Sequence, residues 1–163
     1  MKPRMTWRVL ALTVPCLSPS TALEQVPGPR GPQPALILKG HAFTVSSIAF
    51  SPDGRLLASA SNGREVADTS GEVKVWDLKA GRQVLSLRGH KYGVWKVAFS
   101  PDGKRLASAG TDEVVKVWDV ATGKELLTLR GHTADVYGVA WSPDGKSIAS
   151  CGEVEQGGAR TAR

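Results

Sequence analysis

Three histidines, His41, His90 and His132, each follow a glycine, and the two cysteines, Cys16 and Cys151, lie far from one another. Histidine is the side chain that binds zinc or moves protons near neutral pH. Ligation requires further Cys or His at ligand spacing, and none accompanies these three, so the repeated Gly-His pairs point to structure rather than metal. Ala140 to Ser147 (Ala-Trp-Ser-Pro-Asp-Gly-Lys-Ser) loosely resembles a phosphate-binding loop. The same turn recurs before Arg55 and Lys104, its proline removes an N–H, and it leads into a strand pattern instead of the helix whose N-terminus would hold a phosphate. No nucleophile elbow, His-Glu zinc motif or acid pair stands outside the repeats. The expectation is no enzyme activity, no cofactor and no metal.

What must position these residues is a repeat. Gly-His begins at 40, 89 and 131, Ser-Pro-Asp-Gly at 51, 100 and 142, and Trp-Asp at 76 and 118. Leu-Ala-Ser-Ala recurs at 57 to 60 and 106 to 109, with Ile-Ala-Ser-Cys at 148 to 151. A period near 42 residues marks an array of supersecondary units, none of which buries its own apolar face. Within a unit the period is two: Val94, Lys96 and Ala98 alternate with Trp95, Val97 and Phe99, and Val115 and Val117 with Lys116 and Trp118. The class is therefore all-β. In Ser-Pro-Asp-Gly, proline presets the first central φ of a type I turn, aspartate suits the second position and glycine leaves it. Ala80-Gly81-Arg82 and Thr122-Gly123-Lys124 supply a second tight turn. The middle unit reads as four antiparallel strands, 94 to 99, 105 to 109, 114 to 118 and 124 to 129.

Four short strands, Gly-His before the first and Trp-Asp closing the third resemble the WD-repeat (tryptophan-aspartate repeat) family of β-propellers, over about residues 35 to 151. The resemblance implies a radial array of four-stranded blades that binds proteins and normally carries no catalytic residues. It also implies a buried hydrogen-bonded set in the middle repeat, His90, Ser108, Asp112 and Trp118, with histidine linking aspartate to the serine and the indole N–H. The first repeat matches at His41, Ser59 and Trp76, but Ser70 stands where aspartate is due. Seven extra residues lie in its loop Ser61 to Gly71, from which Asp68 is the candidate substitute. The third repeat has His132 and Ser150 and stops before its third strand.

Where the repeats disagree, two readings stand: packing or unspecialised surface, and a site that binds a partner. After the histidine they run Ala42-Phe43-Thr44-Val45-Ser46, Lys91-Tyr92-Gly93-Val94-Trp95 and Thr133-Ala134-Asp135-Val136-Tyr137. Valine holds, whereas its neighbours vary and include the large aromatics that anchor interfaces. Lys91, Tyr92, Trp95, Thr111, Asp135 and Tyr137 are the candidate partner-binding patch. Trp76, Trp118, Phe50, Phe99 and Trp141 hold equivalent places in successive repeats and are expected in the core.

The net charge is +6, but residues 1 to 40 hold five Lys/Arg against one Glu, and residues 41 to 151 hold 14 against 12. A body so near neutral argues against a nucleic-acid partner. Lys2, Arg4 and Arg8, the apolar run Val9 to Leu17 and the small-x-small Ser20-Thr21-Ala22 predict a signal peptide over 1–22, hence export to a periplasm or the extracellular space; without cleavage the chain would be cytoplasmic. The apolar run is too short to span a membrane. Residues 23–34 read as a Pro/Gly-rich linker, so the whole arm is expected outside the fold. The repeats follow at about 40–88, 89–130 and 131–151, the last incomplete, and then a non-repeat tail at 152–163.

Ala35 to Lys39 aligns with the last strand of a unit, giving 11 strands in all, too few for a ring of four to eight blades. The fold expected is a partial propeller acting as a protein-interaction scaffold, with truncation of a longer array the favoured origin. Completion by another chain, or a ring built from several copies, are the alternatives, and open blade edges predict self-association. Two other functions stay open: an exported fragment that binds a small ligand or assists an enzyme once completed by further blades, and a remnant without independent function.

Overall fold

The computed structural model describes residues 10–12, 36–63 and 71–153. The linker, the tail beyond Glu153, and Asp68 and Ser70 lie outside the described residues. Twelve strands and no helix occur among the described residues: β1 (Leu10–Leu12), β2 (Leu36–Leu38), β3 (Val45–Phe50), β4 (Leu56–Ser61), β5 (Glu72–Asp77), β6 (Arg82–Arg88), β7 (Val94–Phe99), β8 (Arg105–Gly110), β9 (Val115–Asp119), β10 (Glu125–Leu129), β11 (Val136–Trp141) and β12 (Ile148–Gly152). The antiparallel sheets are β3-β4-β5-β6, β7-β8-β9-β10 and the pair β11-β12, here blades 1, 2 and 3. None closes into a ring.

The expected turns set this topology. The Gly54, Gly103 and Gly145 amides donate to the carbonyls of Ser51, Ser100 and Ser142, each at 2.9 Å. Each of these glycines has φ between 68° and 69°, the left-handed region where a Cβ would be strained. The aspartates of the turns each accept from the preceding serine hydroxyl, Asp53 from Ser51 at 2.6 Å and Asp144 from Ser142 at 2.6 Å. These hydrogen bonds hold the Asp53, Asp102 and Asp144 carboxyls below the usual range.

The plain alternation expected for β7 fails at its second residue. Pairing with β8 jumps from Val94↔Gly110 to Lys96↔Ala109, leaving Trp95 as the extra residue of a β-bulge. The same shift passes Ser46 in β3 and Tyr137 in β11. The bulge turns Val94 and Val97, three apart, into one core. That core runs between blades 1 and 2 through Ala58, Val73, Val75, Leu87, Val94, Val97, Leu106 and Trp118, while Ala107, Val115, Val136 and Val139 join blades 2 and 3.

Two further expectations need correcting. Trp76 and Trp118 are buried and Phe99 and Trp141 half-buried, but Phe50 is exposed, because no described blade precedes β3 to cover it. The N-terminal arm is not wholly outside the fold either, since Leu10–Leu12 pairs in parallel with Leu36–Leu38. A short isolated strand has open N–H and C=O groups, and a second strand satisfies them.

Candidate interaction surface

Beneath one end of the array, blade 2 contains the whole expected network. An indole N–H can only donate, so Ser108 Oγ accepts from Trp118 Nε1 at 2.8 Å and turns its own hydrogen to His90 Nε2 at 2.7 Å. The ring's one N–H proton then sits on Nδ1 and is donated to Asp112 Oδ1 at 2.8 Å. Asp112 Oδ2 accepts from the Lys91 amide at 3.0 Å, which ties the network to the loop above it. Burial, the largest single influence, pushes the Asp112 carboxyl upward, but the hydrogen bonds from His90 and the Lys91 amide hold it below the usual range. Beside this set the buried Lys116 Nζ donates to Glu125 Oε2 at 2.8 Å and to Thr128 Oγ1 at 2.9 Å.

Blade 1 solves the same problem with different residues. Trp76 Nε1 donates to Ser59 Oγ at 2.8 Å, and Ser59 meets His41 Nε2 at 2.6 Å. The carboxylate facing His41 belongs to Glu72, in the place that Val114 holds in blade 2. Glu72 Oε2 lies 3.7 Å from His41 Nδ1, too far for a hydrogen bond, and that buried nitrogen has no partner. Glu72 Oε1 accepts from Lys74 Nζ at 2.8 Å and from Ser86 Oγ at 3.0 Å. Lys74 is the counterpart of Lys116, and Gln83 stands where blade 2 has Glu125, each paired with its blade's tryptophan. One carboxylate thus serves where blade 2 uses Asp112 and Glu125. Burial, with the neighbouring Lys74 charge, outweighs the pull of Glu72 and pushes His41 down to about 4. Sequence comparison missed Glu72 because it lies on the strand itself, two residues past the expected site. In blade 3, His132 Nε2 meets Ser150 Oγ at 2.9 Å, exposed.

The bulges carry side chains that reach the neighbouring blade. Their extra residues are Ser46, Trp95 and Tyr137. Ser46 Oγ donates to the Val94 carbonyl of the next blade. Trp95 and Tyr137 meet edge to face with ring centroids 5.3 Å apart. Trp95 Nε1 donates to Asp135 Oδ2 at 3.2 Å, and Tyr137 OH to Glu153 Oε2 at 2.9 Å. Trp95, Asp135 and Tyr137 of the predicted patch therefore form one cluster, with Glu153 as a member that sequence reading missed. Thr111 and Lys91 gather instead around the blade 2 network, the Thr111 amide donating to the Gly93 carbonyl at 2.9 Å. Tyr92 stands exposed on the same loop. Among the described residues there is no group of three or more His, Cys, Asp or Glu arranged to hold a metal ion.

Stacked four-stranded antiparallel sheets, joined by alternating turns at one end and carrying a repeated His-Ser-Trp network near the other, define a propeller-type repeat protein. A family model described as WD domain, G-beta repeat matches residues 32–77, 81–119 and 123–153, and the chain belongs to that family. It is 50% identical over 48 residues to "WD repeat-containing protein SL1-17" of Schistosoma mansoni, a match that covers 29% of this chain and 14% of that protein. It is 29% identical over 73 residues to "Ribosome biogenesis protein ERB1" of Debaryomyces hansenii, covering 42% of this chain and 8% of that one. The chain thus matches only a small part of either relative's length. WD repeats generally serve as non-enzymatic scaffolds that bind proteins. No helix among the described residues is long and apolar enough to cross a membrane.

Proposed function

We propose that this chain is a non-catalytic protein-interaction scaffold whose partner docks on the rim formed by Lys91, Tyr92, Trp95, Thr111, Asp135 and Tyr137. The observation that carries this reading is the bulge cluster. At the bulge position that the three blades share, the repeats stop agreeing and place Trp95 against an exposed Tyr137. Bulges re-aim side chains next to functional sites, and partly exposed aromatics are the side chains that anchor interfaces. The reading extends to export of the chain by residues 1–22.

A photo-crosslinking amino acid at Tyr92, compared with one at Lys104 on the opposite end, tests the docking site in cells of the source organism. A discrete protein adduct is expected from position 92 alone. It should disappear when Trp95→Ala and Tyr137→Ala are introduced while far-UV circular dichroism stays unchanged. Equal adducts from both ends, or loss of folding in the alanine variants without a specific loss of the adduct, would refute the interface.

A further inference from the structure

At three backbone positions the blades can be compared directly. Val45, Val94 and Val136 pair with Ser61, Gly110 and Gly152. The next residues, Asn62, Thr111 and Glu153, each donate an amide at 2.9 Å, to the carbonyls of Thr44, Gly93 and Asp135 respectively. The bulge residue one place beyond each valine completes the set: Ser46, Trp95 and Tyr137. The backbone frame is the same in all three blades, so what differs is the side chains. Blade 1 holds Thr44, Ser46 and Asn62, and its seam with blade 2 is closed by direct contact. Ser46 Oγ donates to the Val94 carbonyl, and a Cβ on Gly93 would collide with Asn62 Oδ1.

The seam between blades 2 and 3 is built differently. Blade 3 fills the same three positions with Asp135, Tyr137 and Glu153, and Trp95 of blade 2 meets them. The two rings lie edge to face, and each spends its polar hydrogen on a carboxylate: Trp95 Nε1 on Asp135 Oδ2 at 3.2 Å, Tyr137 OH on Glu153 Oε2 at 2.9 Å. Gly152 brings the two acids together, since a Cβ there would collide with the Asp135 carbonyl oxygen. These four side chains carry two negative charges and no positive one, on a chain of net charge +6. A carboxylate offers about four acceptor sites, so one bond to a ring leaves capacity for a further donor. Tyr137 and Glu153 are exposed, and Trp95 and Asp135 half-buried, so a side chain from outside can reach the group.

We infer that this seam receives an arginine side chain of the protein partner. The inference rests on the docking surface proposed above and names what that surface recognises. Aromatic faces attract a cation, and adjoining carboxylates add charge-assisted hydrogen bonds. Arginine fits both demands at once, because its guanidinium is flat enough to stack on a ring and presents five N–H donors in a rigid fork. A lysine ammonium is a compact, strongly hydrated point charge and gains less from the rings. The seam between blades 1 and 2, with the same backbone and neither acid nor aromatic at these positions, has nothing to hold such a group.

The test is a titration of the full chain, labelled with 15N at tryptophan, with Nα-acetyl-arginine amide at constant ionic strength. The Trp95 indole N–H resonance, assigned by its loss in Trp95→Phe, should shift saturably. That of Trp118, buried in the blade 2 network, should stay in place and report an intact fold. Asp135→Asn and Glu153→Gln, neutral and of the same shape, should each weaken binding about two- to fivefold, the range for an exposed charge pair. The neutral citrulline analogue should give no saturable shift, and the lysine amide a weaker one. No saturable shift with arginine, an equal response to citrulline or lysine, or unchanged affinity in both carboxylate variants would overturn the inference. The docking surface fails separately: a discrete adduct from position 92 that survives the paired Asp135→Asn and Glu153→Gln changes would leave that surface standing and remove the arginine.

Discussion

Replacing Glu72 by Gln should be costly although its side chain is not fully buried, and a second substitution should recover much of the loss. Lys74 Nζ is buried and takes its carboxylate from Glu72 at 2.8 Å. Breaking a buried ion pair by removing one partner costs about 3–5 kcal/mol, because the other charge stays behind uncompensated. Here the carboxylate reaches solvent and glutamine retains an acceptor, so a loss of about 2 kcal/mol is expected. His41 adds little at pH 7, where it is neutral. Blade 2 shows how the lysine can be satisfied otherwise, since Lys116 reaches Glu125 at 2.8 Å from the neighbouring strand. Gln83 occupies the Glu125 place, and a Cβ on Gly40 would lie 3.9 Å from its Oε1 and 3.8 Å from Lys74 Cε, much as one on Gly89 would lie 3.2 Å from Glu125 Oε2 and 3.7 Å from Lys116 Cε. Gln83→Glu in the Glu72→Gln background should return about 1 kcal/mol or more, while alone it should change stability little. Urea unfolding of the four proteins at pH 7 and one fixed concentration, followed by circular dichroism, closes the cycle. A coupling energy smaller than about 0.5 kcal/mol, the level at which independent sites add, would refute the view that the two positions serve one lysine.

Acid should destabilise the fold through His41. Its folded pKa of about 4 lies below the unfolded value of 6.5, so the unfolded chain binds more protons between these values and stability falls as pH drops through that window. The shift implies a loss of about 2 kcal/mol between pH 7 and pH 5, above the range where carboxylates titrate. Urea midpoints at the two pH values should show that loss reduced in His41→Gln; an identical pH dependence in the variant would rule out this residue as its source. Gly110→Ala should be costly although its backbone is ordinary. The added Cβ would fall 2.8 Å from His90 Nδ1, 2.9 Å from Asp112 Oδ1 and 2.9 Å from the Gly93 carbonyl, and such overpacking costs about 1–3 kcal/mol. A thermal melt unchanged from the parent would contradict the tight seating of the network.

Much of this structure was readable because its determinants are local and repeated. The strands expected at 94 to 99 and 105 to 109 occur at Val94–Phe99 and Arg105–Gly110, since turn chemistry in Ser-Pro-Asp-Gly sets their ends without help from distant residues. The set His90, Ser108, Asp112 and Trp118 followed from the family pattern, and hydrogen bonds join the four side chains in one chain. Glu72 escaped because a carboxylate's reach depends on which strand lies beside it. A comparison by position asks only whether aspartate stands six residues before tryptophan. The bulges escaped for a related reason: Ser46, Trp95 and Tyr137 share a backbone irregularity but no side-chain type, so composition carries no sign of it.

The exposure of Phe50 is a different kind of miss. Its residue type and repeat position are those of Phe99, and both predict burial. The prediction holds for Phe99 because blade 1 supplies the covering surface, and fails for Phe50 because no described blade does. In a repeat array the apolar face of each unit is a demand placed on its neighbour. Its burial is therefore a property of the assembly, not of the residue. The same logic makes Leu129 exposed and Leu87 buried in matching registers. Such pairs are internal controls: sequence type and local geometry are held constant and only the neighbour changes, so their difference in exposure measures what an adjoining blade would have to cover.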